Sequence, residues 1–229
     1  MDPSEAPATP SPSRLLETVT RTLRHEVGDL LQTVYSTVAI LQERVPPDAK
    51  LERRFLADLR ARAETCKHEL DAVHDLVLPI TLKYGLVDLA ELASMLTAAV
   101  GPRYSGVEVR AESSGPLPIT ADAQRLEQAG RLLLINLCQS ARGRVEVRTA
   151  PGPGSGEVHW SLTNDGYGAT PEQLLWLKTP FATTQQALFG LGLALARRVV
   201  ELHGGRVEAE NRDEGGFRVS LILPANPPS

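Results

Sequence analysis

The chain has 229 residues, 42% of them hydrophobic and 23% charged, which suits a soluble protein of one large or two small domains. Its formal net charge of −4 argues against a general nucleic-acid binder. No apolar run reaches the roughly 18 residues that span a membrane, and no secretory signal follows Met1. We therefore expect a cytoplasmic protein without a membrane span that depends on an upstream sensor protein.

Two long amphipathic helices are predicted first. Residues 1–13 contain four prolines and are expected to be disordered, as is the short tail 225–229. From Ser13 to Val45, apolar residues recur every three or four positions, and two prolines then end the pattern. The pattern resumes from Leu51 to Val77. These helices predict an antiparallel hairpin over residues 14–85, and its exposed apolar stripe predicts a homodimeric four-helix bundle.

The remainder, residues 86–224, predicts an α/β sandwich with one sheet and helices on one face. The expected helices are Val87–Leu96, Leu126–Ala141, Pro171–Lys178 and Leu191–His203. The expected strands are Val107–Arg110, Arg144–Thr149, Val158–Thr163, Arg206–Glu210 and Phe217–Leu223.

The two cysteines, Cys66 and Cys138, both lie in apolar patterns. We predict that both are buried free thiols in a reducing compartment. Their spacing does not suggest a metal site.

The first candidate site is a histidine in the first helix. At about 100° per residue, His25 lies about 160° from Leu23 and Val27, opposite the apolar stripe. Asp29 is one turn later on the same face, and Glu26 adjoins the histidine. Two neighbouring carboxylates can hold one imidazole tautomer and accept its proton during attack on phosphorus. From this segment alone, the alternative is a solvated histidine on a polar helix face.

Two glycine-containing segments are further candidates. Residues 164–168 (NDGYG) directly follow a predicted strand, and their two glycines allow a ligand to approach the backbone closely. Gly190 and Gly192 open a predicted helix, whose N-terminal N–H groups and dipole favour phosphate. Taken separately, these segments are equally compatible with a plain turn and with close packing of a glycine-rich loop.

Taken in order, these segments resemble the motifs of the two-component histidine kinase family over roughly residues 14–224. Five segments carry the resemblance. His25–Leu31 is similar to the phosphoacceptor box, and Asp122–Ala141 is similar to the segment that leads into the N box. Residues 164–168 are similar to the first glycine box, Pro180–Thr184 to the F box, and Gly190–Leu193 with Leu202–Gly205 to the second glycine box and the segment after it.

The resemblance implies a dimerising helical hairpin followed by an ATP-binding α/β domain of the Bergerat type. It also implies transfer of the γ-phosphoryl group from Mg-ATP to the histidine, then to an aspartate of a response-regulator receiver domain. The implied catalytic residues are His25, Glu26 and Asp29. The implied nucleotide-binding residues are Asn136, Ser140, Asn164, Gly166, Gly168, Phe181, Thr183, Thr184, Gly190 and Gly192, and Ser140 stands at the Mg²⁺ position.

Five positions depart from the family pattern. Ser140 replaces the asparagine that binds Mg²⁺, and Gly143 replaces a basic residue. Asn164 replaces the aspartate that reads adenine, although its carbonyl can still accept from the adenine amino group. Gln185 replaces the F-box lysine, and Leu188 replaces the first glycine of the second glycine box. These departures predict weak binding of ATP and Mg²⁺.

Three functions remain open from the sequence. The first is a histidine kinase that is slow because its ATP site is weak. The second is a histidine phosphotransferase, a relay protein that keeps His25 and no longer uses ATP. The third is a non-catalytic ATPase-like scaffold. The intact glycine pairs favour the first, and the departures favour the second.

Overall fold

The computed structural model describes residues 12–154, 156–171, 174 and 190–226. The chain divides into two compact units between Pro79 and Ile80. The sequence placed this boundary six residues later, after Gly85. Residues 80–85 belong with the second unit because Lys83 donates its backbone N–H to Asp122 and Gly85 begins a strand that pairs there.

The first unit is a helical hairpin, as predicted. Helix α1 is Pro12–Arg44 and helix α2 is Lys50–Val77. Mainly small or β-branched side chains pack where the two helices touch. The buried residues of this inner face include Thr20, Leu31 and Val38 of α1 and Ala63 and Ala72 of α2.

Many of the larger apolar side chains of the hairpin are exposed, although Leu31 lies on the inner face. The exposed ones are Leu16, Val19, Leu23, Leu30, Ile40 and Leu41 on α1, and Leu51, Phe55 and Leu59 on α2. Most of the apolar stripe that the sequence showed on α1 therefore lies on the outer face rather than between the two helices. One hairpin alone leaves this surface in water.

The second unit combines a five-stranded sheet with helices. Its strands are β1 Gly85–Asp88, β2 Glu108–Ser113, β3 Pro118–Ala121, β4 Arg144–Pro151, β5 Glu157–Asn164, β6 Arg206–Asn211 and β7 Phe217–Pro224. Its helices are α3 Leu89–Val100, α4 Ala123–Ser140 and α5 Gly190–Leu202, with a 3₁₀ turn at Gly101–Arg103. The main sheet has the order β2-β4-β5-β7-β6, with β2 and β4 parallel and the other neighbours antiparallel.

Two sequence predictions about this unit need correction. A second sheet, formed by β1 and β3, was missed, so the unit does not have one sheet only. The helix expected from Val87 begins at Leu89, because Asp88 caps it by accepting from the N–H groups of Ala90 and Glu91. Most of the expected helix Pro171–Lys178 and of both terminal tails lies outside the described residues.

The core lies between one face of the main sheet and the helices α3, α4 and α5. Alternate residues of the central strands are buried, for example Val145 and Val147 of β4 and Leu162 of β5. Their neighbours on the other face include the exposed Arg148 and Arg218. The prediction that helices cover one face is therefore confirmed for the described helices.

The prediction for the cysteines is confirmed for one of them. Cys138 is buried in α4, and burial raises the pKa of its thiol to about 12, so it stays protonated and inert. Cys66 is exposed on α2. Because α2 packs only along one narrow stripe of this hairpin, an apolar neighbourhood in the sequence does not ensure burial there.

One close packing contact of the core joins α4 to β5. A Cβ on Gly130 would lie 2.2 Å from the Cη2 atom of Trp160, whose side chain is fully buried. Glycine at this position therefore lets the helix approach the indole ring.

Gly130→Ala is expected to destabilise the second unit by about 2 kcal/mol, because overpacking outweighs the better helix propensity of alanine. Urea unfolding followed by tryptophan fluorescence measures this, since both tryptophans belong to residues 80–229. Gly154→Ala is the matched control, because its Cβ would meet nothing within 4 Å. Equal unfolding midpoints for the two variants would contradict the packing argument.

Candidate functional site

His25 lies on the solvent-exposed face of α1, as the helical spacing predicted. Its Nδ1 atom is 3.1 Å from Oδ2 of Asp29, and the two side chains are 75% and 73% exposed. A carboxylate at Nδ1 favours the tautomer with the proton on that nitrogen and leaves the Nε2 lone pair free to act as a nucleophile. Glu26 is also exposed on this helix. Its predicted role as a proton acceptor stays a prediction.

A charged cluster beside the histidine was not found from the sequence. Arg24 donates from Nε to Asp71 at 2.8 Å, and its Nη1 atom is 3.5 Å from Nε2 of His74. The Nδ1 atom of His74 lies 3.4 Å from the buried carboxylate of Asp75. These contacts tie the segment before His25 to α2. The two contacts of Arg24 connect residues 47 and 50 positions apart, which no local pattern reveals.

Asn164 stands at the centre of the second candidate site, at the end of β5, and is buried. Its Oδ1 atom accepts from the backbone N–H groups of Phe217 at 3.0 Å and Gly166 at 3.3 Å. Its Nδ2 atom donates to the carbonyl of Leu137 at 3.2 Å and to Oγ of Ser140 at 2.9 Å. Because backbone groups have fixed donor and acceptor roles, this orientation of the amide is determined. The side-chain carbonyl that was expected to accept from adenine therefore accepts from two backbone N–H groups of the protein instead.

Ser140, the expected Mg²⁺ ligand, is engaged in the same network. Its hydroxyl donates to the carbonyl of Asn136 at 2.9 Å and accepts from Asn164. In this arrangement its contacts serve the protein rather than a metal ion. Among the described residues there is also no cluster of three or more acidic, histidine or cysteine side chains that would hold a metal. The donor set therefore does not fit a Mg²⁺ site built on Ser140.

The glycines of the loop after β5 are explained by contacts within the protein. A Cβ on Gly166 would lie 2.2 Å from the carbonyl oxygen of Ser140. Gly168 has φ +77°, and a Cβ there would lie 2.7 Å from Oδ1 of Asn211. That same Asn211 side chain bonds both the N–H and the carbonyl of Ala169, each at 2.7 Å. The sequence interpretation assigned this space to a ligand.

A second carboxylate fixes the other side of this loop. Asp165 accepts from the backbone N–H groups of Arg142 at 2.8 Å and Gly143 at 3.1 Å. Burial alone raises the pKa of Asp165, but the backbone hydrogen bonds from Arg144, Gly143 and Arg142 together hold that pKa below its usual value. Asp165 therefore remains ionised at neutral pH and anchors the loop to the end of α4.

A cavity of about 260 Å³ opens between these elements. It is lined by Gln139, Ser140, Ala141, Arg142, Asn164, Tyr167, Gly168 and Phe217. At its mouth the Arg142 guanidinium lies 4.1 Å from the centre of the Tyr167 ring, and Tyr167 is 88% exposed. The sequence did not indicate this pair, because its members are 25 positions apart and outside each other's motif.

The structure brings only some of the predicted nucleotide residues to this cavity. Ser140, Asn164 and Gly168 line it. Gly192 lies in α5, where a Cβ would come within 2.7 Å of Nδ2 of Asn136, so it permits α4 and α5 to pack closely. Gly190 begins α5. Asn136 and Gly166 do not line the cavity. Phe181, Thr183 and Thr184 lie outside the described residues.

A buried histidine links two helix ends in the same unit. His203 donates from Nδ1 to the carbonyl of Val199 at 2.7 Å, and its Nε2 atom accepts from the backbone N–H of Asp122 at 2.9 Å. Asp122 in turn caps α4 through the N–H of Arg125. An aspartate directly before an apolar helical run is an N-cap signal, so this role of Asp122 was available from the sequence.

Comparisons with known proteins agree with this architecture. The family described as "Histidine kinase-, DNA gyrase B-, and HSP90-like ATPase" matches residues 121–227. Sensor histidine kinase ZraS of Klebsiella oxytoca is 31% identical over 208 residues, which are 88% of this chain and 44% of that protein. Signal transduction histidine-protein kinase AtoS of Escherichia coli K12 is 27% identical over 210 residues, 89% of this chain and 34% of that protein. The chain thus spans less than half the length of these relatives.

Solved structures share the fold. Full-length ShkA in complex with AMPPNP gives a TM-score of 0.66 at 24% identity, over 93% of this chain and 46% of that one. The mycobacterial sensor histidine kinase MprB gives 0.54 at 24% identity, over 64% of this chain and all of that one. In the described part of this chain no helix is long and apolar enough to cross a bilayer. Residues 121–227 therefore form an ATPase domain of the histidine kinase-, DNA gyrase B- and HSP90-like family, and most of the chain is similar to sensor histidine kinases.

Proposed function

We propose that the chain is a histidine kinase core that transfers the γ-phosphoryl group of ATP to His25 and then to an aspartate of a response-regulator receiver domain. The observation that carries this proposal is the exposed imidazole with Asp29 at Nδ1 and its Nε2 side open. The relatives named as sensor histidine kinases support it. So does the structural neighbour that binds AMPPNP, an analogue of ATP.

The geometry of the hairpin suits phosphoryl transfer. Attack by Nε2 of His25 forms an N–P bond while the P–O bond to the leaving ADP breaks. The ring becomes positively charged in this step, and the carboxylate of Asp29 at Nδ1 stabilises that charge. The proton that the ring then loses is the one on Nδ1, which faces Asp29 in this structure. Glu26, the predicted acceptor, takes this proton once the exposed ring turns toward it.

ATP would reach the second unit at the cavity beside Asn164, with its base in the cavity. Its phosphates would lie toward the N-terminus of α5, which begins at Gly190, where backbone N–H groups favour anions. ATP supplies the phosphoryl group, whereas Mg²⁺ receives no ligand from Ser140 as this side chain is bonded.

A histidine kinase core of this kind requires two partner proteins. A receiver domain accepts the phosphoryl group from His25, and an upstream sensor protein supplies the signal. The protein acts in the cytoplasm as a homodimer. The exposed apolar residues of the outer hairpin face support the dimer, because a surface of this kind is normally covered in a stable protein.

His25→Gln is expected to abolish acid-labile labelling by γ-labelled ATP. The matched control is His68→Gln, which changes a histidine of α2 in the same hairpin and should keep the label. Autoradiography after acid and after alkali distinguishes phosphohistidine from phosphoserine. Label retained in His25→Gln would refute the assignment. Label on His25 from a phosphorylated receiver, with none from ATP, would favour the relay function instead.

Glu26→Gln is expected to slow phosphoryl transfer by about 10²–10⁴-fold, the usual contribution of a positioned general base. Affinity for the receiver domain should stay unchanged, because the side chain keeps its size. Rapid-quench kinetics and calorimetry measure the two quantities separately. Asp29→Asn is the comparison variant on the same face. A normal rate in Glu26→Gln and a slow one in Asp29→Asn would transfer the role to Asp29.

Light scattering at micromolar concentration is expected to give the mass of a dimer. The double variant Leu30→Glu, Phe55→Glu should give a monomer, since both side chains lie on the outer face of the hairpin. Leu86→Glu is the control, because Leu86 is at least as exposed but belongs to the second unit. A wild-type monomer, or dissociation caused equally by Leu86→Glu, would contradict the proposed interface.

A further inference from the structure

The cavity beside Asn164 has the dimensions of a site for a flat heterocycle. Its volume of about 260 Å³ is smaller than the roughly 300–1,000 Å³ of sites for drug-sized molecules. The exposed Tyr167 ring stands at the mouth with one face covered by the guanidinium of Arg142 and the other face open. Aromatic rings and guanidinium planes both stack on bases without regard to base identity.

Selecting adenine by its amino group requires a free acceptor. Adenine and hypoxanthine differ at their Watson–Crick edge: adenine offers a 6-amino donor where hypoxanthine offers a 6-oxo acceptor. A pocket discriminates strongly between such analogues only when it holds a polar group that one of them leaves unpaired. Selectivity for adenine at this cavity therefore depends on which of its side-chain oxygens are available to a base.

The polar side chains that line the inner part of the cavity are already used. Oδ1 of Asn164 accepts two backbone hydrogen bonds, and its Nδ2 donates two. The hydroxyl of Ser140 donates to Asn136 and accepts from Asn164. Replacing any of these bonds with a bond to the base would leave a buried backbone group unpaired or break a satisfied pair.

We propose that this site binds purine nucleotides by stacking the base at the Arg142–Tyr167 pair, and that it does not distinguish adenine from hypoxanthine. The inference rests on the proposed function, since it concerns the nucleotide that supplies the phosphoryl group. In this proposal Asn164 has a structural role, through its hydrogen bonds to α4, to the turn after β5 and to β7, whereas Tyr167 and Arg142 bind the base.

The test is calorimetric titration of the full chain with ATP and, separately, with ITP in the same buffer. The two ligands carry identical triphosphates, so any difference in affinity comes from the base. We expect dissociation constants within about threefold of each other, as stacking is nearly independent of the base. ATP binding at least tenfold more tightly than ITP would overturn the inference while supporting the proposed function. Binding of neither ligand at millimolar concentration would overturn both.

Two variants examine the separate roles. Tyr167→Ala should weaken both ligands equally, by about tenfold, whereas Tyr167→Phe should retain the affinity because it keeps the ring. Asn164→Asp removes the donor to Leu137 and Ser140 and restores the carboxylate found at this position in the family, so it should favour ATP over ITP by at least tenfold.

Asn226→Asp is the matched control for the added charge, since it makes the same change outside the cavity. Unequal effects of Tyr167→Ala on ATP and ITP would contradict stacking as the mode of binding. Circular dichroism establishes that each variant is folded. If Asn164→Asp does not fold, the wild-type comparison of ATP with ITP decides the inference alone.

Discussion

The four hydrogen bonds of the buried Asn164 side chain are the interaction that joins the elements around the cavity of the second unit. One buried amide bonds the C-terminal turn of α4, the turn after β5 and the first residue of β7. Both donor and both acceptor positions of the amide are used. Breaking any of these bonds would leave a buried polar group unpaired, and together they fix the relative positions of the three segments. Gly166 and Gly216 are needed beside it, because a Cβ on either would strike backbone atoms of Ser140 or Asn164 itself. The shape of the cavity follows from this arrangement.

The hairpin is organised by the sizes of its side chains. Alanines such as Ala63 and Ala72 lie where α2 meets α1, whereas Leu30 and Phe55 point outward. Small residues let two helices approach closely, and large ones bury more apolar surface when they are covered. The same two helices therefore carry one narrow contact within the hairpin and one broad surface outside it. His25 and Asp29 occupy neither, which keeps the imidazole accessible.

Periodic patterns made the long elements predictable. Both hairpin helices, α4, α5 and the strands of the main sheet agree with the sequence to within three residues. The exposure of His25 followed from helical spacing alone. The strands β1 and β3 were missed because four residues carry too little alternation to be recognised. The orientation of Asn164 was missed for a different reason. Its partners come from α4 and β7, and no local pattern specifies contacts over 27 or 53 positions.

The bond between Ser140 and Asn164 also couples these two positions energetically. Both positions depart from the family pattern, and the amide of Asn164 donates to the hydroxyl of Ser140 at 2.9 Å. Replacing either side chain alone removes one partner of this bond, whereas replacing both removes donor and acceptor together. The changes in unfolding free energy at the two positions are therefore not expected to add. Changing both positions to the family residues should cost less than the sum of the two single changes.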